Sequence, residues 1–381
     1  MGILSRLHNK VFGKHIYTGD VEAESNSMLY KDTHLEMRSI CSDEYRVNII
    51  EDSCHLHRMI INHKGEVYPC CYVAGNIDYR IGLVTDKDII EKLLNYDIAN
   101  GCNCYQYKFI KLSNTAVNKI TVNKGLYLEL SLLCNAKCAM CIVDAPYWDK
   151  KYDLYDTIRA FIDLWMPDKL WVQGGEILIQ KQTLQWLEQI KKDHQNVKIN
   201  LLTNGNVSLR MIPIVEKIFS AVAISITGFQ AETYETITSL SLANTVSFTE
   251  ELARNNKVEI YPKFLITPIT AHETHLFLDW AIDVATSELL IQSLVMPNHL
   301  DKTGNYWDII LNDELSKRIF ERASKKLKGA LISKSTLLKS RGVKVCFIDA
   351  KAAELMQIDA KFIEDSNLRD VVFLGECSFQ P

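Results

Sequence analysis

The stretch SLLCNAKCAMCIVDAP sets Cys134, Cys138 and Cys141 within eight residues and offers no fourth cysteine nearby. Three thiolates hold zinc if a remote residue completes the tetrahedron, or hold an iron-sulfur cluster that leaves one iron without a protein ligand. An open coordination position is a place for chemistry. Ala136, Ala139 and Met140 are small or flexible enough for the loop to wrap one centre. A second set lies upstream: Cys54, then Gly65 in NHKGEVYPCC, Cys70, and the pair Cys102 and Cys104. Gly65 suits a hairpin turn that carries Cys70 or Cys71 back toward Cys54, so that four thiolates converge. Adjacent residues of a strand point to opposite faces, so one of Cys70 and Cys71 ligates a given metal. His55, His57 and His63 lie among these cysteines and keep a zinc site open, built from Cys54, His57, Cys70 and Cys102 or Cys104.

The elements that must position these residues change character along the chain. Residues 1–40 are polar, without clear periodicity, and read as an N-terminal arm. From 41 to 118 a small cysteine-rich unit carries strand-like pieces at Arg58 to Ile61 and Glu66 to Tyr68, and a helix-like run from Asp86 to Leu94. Apolar strands then alternate with amphipathic helices over 119–300. The strand candidates are LYLELSL (126–132), LWVQ (170–173), VKINLLT (197–203), AVAISI (221–226), EIYPKFLI (259–266) and LLIQSLV (289–295). A representative helical stripe is Leu154, Ile158, Phe161, Ile162 and Trp165. Six β-α units in succession imply right-handed crossovers and a parallel sheet, with the chemistry at the C-terminal ends of the strands. The loop of Cys134, Cys138 and Cys141 follows the first strand, at that end. Residues 301–381 read as a mostly helical extension with a final apolar piece, VVFL (371–374).

Composition narrows the function classes. The 381 residues are 47% hydrophobic, ample for a buried core, and the net charge of −4 gives no footprint for a polyanion, which disfavours a nucleic-acid partner. The first residues lack the apolar core of a signal peptide and no stretch approaches a membrane span, so the expected location is cytoplasmic. Eleven cysteines in a reducing compartment read as ligands or reactive thiols before disulfides.

LCNAKCAMC, placed after the first strand of a (β/α)6 pattern, resembles the cluster loop of radical S-adenosylmethionine enzymes. Three further stretches follow in that family's order. Gly174-Gly175-Glu176 looks like its methionine-binding motif, where glycines admit a ligand close to the backbone and a carboxylate accepts hydrogen bonds from an ammonium group. LLTNG, with Thr203 and Asn204, ends the third strand as in the family. SITGFQAETYETIT resembles the stretch that ends the fourth, with Ser225 and Thr227 near the ribose or methionine carboxylate. Thr227 stands where an aspartate is usual, Thr238 where an arginine is usual, and Met140 where an aromatic residue is common. Lys263, placed inward with Tyr261 and Leu265 by strand alternation, reaches for the cofactor carboxylate; a solvent-facing lysine is the alternative.

The resemblance implies a partial (β/α)6 TIM-like barrel with a 4Fe-4S cluster on Cys134, Cys138 and Cys141, and S-adenosylmethionine at the open iron. One-electron cleavage then yields a 5′-deoxyadenosyl radical that abstracts a substrate hydrogen. The upstream cysteines are similar to the auxiliary-cluster modules called SPASM and twitch, although here the module precedes the barrel. They imply a second 4Fe-4S cluster, with zinc as the alternative. In such relatives the pairing accompanies peptide or protein side-chain modification, with flavodoxin or ferredoxin as reductant. Oxidation or rearrangement of a small molecule is the enzymatic alternative, and a non-catalytic metal-stapled binding protein is the other.

Overall fold

The protein is described by a computed structural model over residues 59–70, 73–96, 125–141, 145, 154–294 and 313–373. Cys54, Cys102, Cys104 and the arm 1–40 lie outside the described residues.

A single sheet of eleven strands organises the described chain, in the order β11-β10-β9-β8-β7-β6-β5-β4-β1-β2-β3. The six strands expected from the alternation are all present: β4 (Gly125–Glu129), β5 (Lys169–Gln173), β6 (Lys198–Thr203), β7 (Ala221–Ile226), β8 (Glu259–Ile266) and β9 (Glu288–Ser293). Each pairs in parallel with the next in the sequence. Between them run the helices α2 (Tyr155–Trp165), α3 (Lys181–Asp193), α4 (Ile212–Ile218), α5 (Ala231–Thr238), α6 (Leu242–Asn255) and α7 (Thr274–Val284).

Two features extend the expected architecture. Residues 313–373 are not only helical: the long α8 (Asp313–Arg341) is followed by β10 (Lys344–Phe347), α9 (Ala350–Leu355), α10 (Ala360–Asp365) and β11 (Val371–Phe373). β10 pairs in parallel with β9, and β11 with β10, so the parallel run continues to eight strands. At the other edge β1 (Ile60–Ile61) lies parallel to β4, and β2 (Glu66–Tyr68) and β3 (Gly82–Leu83) continue as an antiparallel meander, followed by the short α1 (Ile89–Leu94). The hairpin expected at Gly65 is there, with Gly65 at φ +77°.

Strand alternation sorts the core onto two faces. Leu126, Leu128, Val172, Leu201, Ile224 and Phe264 face the helices, where the α2 stripe of Ile158, Phe161, Ile162 and Trp165 is buried. Their neighbours Tyr127, Trp171, Ala223, Tyr261 and Leu290 form a second cluster to which no described α-helix contributes, as on the inner face of a curling sheet. Sequential strand order with right-handed crossovers places every helix on one side, and so separates these two cores. All loops that follow parallel strands emerge at one end, which forms the rim. No described helix is long and apolar enough to cross a membrane.

Candidate functional site at the C-terminal rim

The cysteine loop leaves β4 at the rim and is held from three sides. From the β5 loop, Glu176 N–H donates to the carbonyl of Leu133 at 2.8 Å, and Gln180 Nε2 donates to the same oxygen at 3.1 Å and to Gly174 O at 3.3 Å. The carbonyl before Cys134 is thus doubly anchored. From the β6 loop, Asn204 Nδ2 donates to Asn135 Oδ1 at 2.9 Å, and Asn135 Nδ2 donates onward to Asn206 O at 2.8 Å. From the end of α5, the carbonyls of Thr238 and Ile237 accept from Lys137 N and Ala139 N, each at 2.9 Å. Met140 packs in a small apolar group with Cys138, Ile237, Leu265, Ile269 and Leu294, which joins the loop to the ends of β8 and β9.

The three thiols act on one another electrostatically. Burial pushes the Cys138 thiol up to about 12, and the nearby Cys141 and Cys134 add to the shift. Burial also raises Cys134, with Glu176 and Cys141 contributing in the same direction. Protonated thiols must lose their protons to ligate, so metal loading here releases protons. Among the described residues no three His, Cys, Asp or Glu side chains are grouped so as to hold a metal ion as they stand. A single zinc ion would gather sulfurs to bonds of about 2.3 Å, whereas a four-iron cluster spreads its thiolates over three separate irons.

The glycine motif is explained by chain packing. Gly174 and Gly175 have φ of +95° and +56°, and a Cβ on Gly175 would lie 2.1 Å from Leu133 O, one on Gly174 2.4 Å from Glu129 Cγ. The backbone that approaches closely is the cysteine loop itself. Glu176 is wholly buried, and its carboxylate accepts from Leu178 N (3.0 Å), Thr203 Oγ1 (2.7 Å) and Asn204 N (2.8 Å). The donors expected from a ligand ammonium are supplied here by the protein, so Glu176 ties the β5 loop to the β6 loop. Burial raises its pKa, against the three donors that lower it. Thr203 is consumed in the same way, since it also accepts from Gly205 N at 3.0 Å. Asn204 joins both networks through its backbone and its amide.

The far side of the rim is arranged differently. Thr227, one residue beyond β7, is 7% exposed and its hydroxyl has no hydrogen-bond partner. A buried hydroxyl without a partner is costly unless something absent from the protein satisfies it. Ser225 is half-buried and lies in register with Lys263 of β8. Lys263 is close enough to Asp349, beyond β10, to oppose the rise in pKa that burial causes there.

Two carboxylates that sequence reasoning missed brace this side. Buried Glu273 accepts from Phe229 N, from Gln230 N (3.0 Å) and from Thr233 Oγ1 (2.6 Å), which fixes the loop beyond Thr227. Buried Asp349 accepts from Ser293 N (2.8 Å) and Ser293 Oγ (2.7 Å), and caps α9 through Ala352 N (2.7 Å). Gln180 and Asn135 were missed as well; only the three cysteines around Asn135 marked its loop in the sequence.

Of the upstream cysteines only Cys70 can be placed. It is buried and leaves β2 toward the N-terminal ends of the parallel strands, the opposite direction from Cys134, because β2 runs antiparallel to β1 and Tyr68 lies level with Ile60 and Tyr127. The hairpin turn reaches the rim instead, where His63 Nδ1 meets Glu129 Oε1 at 2.7 Å.

No protein-family model matches the chain, and no curated protein matches it. Among solved structures it is similar to Streptococcus suis SuiB bound to S-adenosylmethionine, at 10% identity and a TM-score of 0.44 over 76% of this chain and 64% of that one. It is similar to anSMEcpe with bound AdoMet at 18% identity and a TM-score of 0.42, over 58% and 61%. The maturase HydG from Carboxydothermus hydrogenoformans gives 11% and 0.39, over 91% and 74%. The chain thus spans less than two thirds of the length of SuiB and anSMEcpe. Likenesses at this level establish neither fold nor activity.

Proposed function

We propose that this chain is a radical S-adenosylmethionine enzyme that modifies a peptide or protein side chain. The observation that carries the proposal is the rim: three mutually interacting thiols on a loop braced from three sides, at the same end of the sheet as a buried hydroxyl, Thr227, that has no protein partner. These residues fit the implied group. Cys134, Cys138 and Cys141 would hold a 4Fe-4S cluster, and Ser225, Thr227, Lys263 and the backbone of Gly174 and Gly175 would hold S-adenosylmethionine, with Asn204 beside them. When bound, that pair supplies one-electron cleavage of the cofactor and removal of a hydrogen atom from the substrate. The chain's own part is to fix the backbone of the cysteine loop before loading, through Leu133 O, Asn135 and the end of α5, and to shield the site with Met140 and its apolar neighbours.

Anaerobic iron and sulfide analysis with electron paramagnetic resonance tests this, together with 5′-deoxyadenosine release. Changing Cys134, Cys138 and Cys141 to Ala should remove about four irons per chain and all release. Iron content and release unchanged in that variant would sink the proposal. Release stimulated by peptide mixtures, and not by small polyols, supports the substrate class.

For the upstream cysteines we propose an auxiliary 4Fe-4S cluster that includes Cys70. A structural zinc is the second reading, favoured by the direction in which Cys70 leaves the sheet, away from the rim. Zinc retained in the triple variant, with no residual iron, decides for it.

A further inference from the structure

The cations of helix α8 are used unevenly along its length, exposed Lys339 being the one in the C-terminal half without a described partner. In its C-terminal half, Lys334 pairs with Asp279 at 3.1 Å and Arg341 with Asp283 at 2.9 Å, both acids being on α7, and Lys328 sits over the Phe362 ring at 4.8 Å. In the N-terminal half, Lys317, Arg318, Arg322, Lys325 and Lys326 are exposed, and none has a carboxylate partner among the described residues. At 3.6 residues per turn these five occupy about half of the helix circumference over about 14 Å of its length. The opposite half, with Phe320, Ala323 and Leu327, is buried.

This patch is set against the overall charge of the chain. Five of the 43 Lys and Arg and one of the 47 Asp and Glu fall in 317–326, so the rest of the chain is net −8. Its location is also particular. α8 begins after β9, at the rim, and packs on the turn Ala271–Glu273 that follows β8. Ile269, two residues before that turn, lies in the apolar group that contains Cys138 and Met140. Packed protein therefore connects the basic face to the cysteine loop.

We infer that the N-terminal half of α8 is the docking face for an acidic one-electron carrier protein of the flavodoxin or ferredoxin class. The inference rests on the proposed radical chemistry, which draws one electron per cleavage: the carrier is oxidised by one electron and the centre on Cys134, Cys138 and Cys141 is reduced by one. Electron-transfer encounters bury less than about 1,200 Å² and rely on charge complementarity for steering, which suits a small basic patch on an otherwise acidic surface. A nucleic acid would meet repulsion from the remainder of the chain beyond those few contacts.

The test compares two reductants on full-length, cluster-loaded protein: an acidic flavodoxin and dithionite, which needs no docking face. A quadruple variant, Lys317→Glu, Arg318→Glu, Arg322→Glu and Lys325→Glu, should raise the KM for flavodoxin about tenfold or more and flatten its salt dependence. Its dithionite-driven 5′-deoxyadenosine release should match that of the unaltered chain. The corresponding Gln variant should fall between them and exclude a folding defect. Equal loss with both reductants, no change with either, or tighter binding of a single-stranded oligonucleotide than of flavodoxin would overturn the docking assignment. Absence of release from the unaltered chain with dithionite would instead remove the radical reading beneath it.

Discussion

The two halves of the rim use their polar groups in opposite ways. On the β4–β6 side, Glu176, Thr203, Asn204, Asn135 and Gln180 all spend hydrogen bonds on one another, on the cysteine loop or on neighbouring protein groups. On the β7–β8 side, Glu273 braces the loop through Phe229, Gln230 and Thr233 while the Thr227 hydroxyl at its start is left without a partner. One half braces the loop that carries the thiols, and the other holds a buried hydroxyl that no protein group satisfies. A motif match alone does not separate these roles, because both halves resemble cofactor-binding segments.

Substitutions on the building side should act on stability first. Gly175→Ala should have the largest effect, since it forces a side chain into a left-handed conformation and onto Leu133 O. We expect a loss of about 3 kcal/mol or more, read as a shift in the urea midpoint. An unshifted midpoint would show that the two loops can separate without cost.

Glu176→Ala should cost about 3 kcal/mol by stranding the donors on Leu178, Thr203 and Asn204. Its pH dependence has a definite sign. Burial raises the folded-state pKa above the unfolded one, so the native state binds the proton more tightly. Stability from this group is therefore present below the ordinary carboxylate range and lost as pH rises through the raised value. In Glu176→Gln that slope should disappear; urea midpoints across this range that keep the same slope in both proteins would contradict it.

Gln180→Leu should cost about 1–2 kcal/mol by removing the donor shared between Leu133 O and Gly174 O, with cluster iron retained. Full stability in that variant would make Glu176 N the one anchor that matters at the Leu133 carbonyl. Thr227→Val should do the reverse: unfolding free energy unchanged or raised by up to about 1 kcal/mol, and S-adenosylmethionine affinity lowered about five- to tenfold. Calorimetric binding that is unaffected would erase the distinction between the halves.

Much of the fold was legible in the sequence. The six strands β4–β9 stood out because each is an apolar run between helical stripes, and the β1–β2 hairpin because Gly65 marks its turn. β10 escaped notice as the four-residue piece KVCF, separated from a long helix by Gly342 and Val343, where no periodicity separates a buried strand from a loop. The same shortness hid the role of VVF in β11. At the site, the cysteines and glycines were visible by type and spacing, but Glu273 in AHETH resembles any helix-start residue.

The sequence by itself determined which residues reach the rim: a β-α alternation brings each loop to the same end, so Cys134, Gly175, Asn204 and Thr227 must arrive there together. Tertiary structure alone decided which of them find protein hydrogen-bond partners and which do not. The satisfaction of a buried polar group depends on donors far along the chain, as Glu176 depends on Thr203 and Asn204, and Glu273 on Phe229 and Thr233. No local pattern encodes such a pairing.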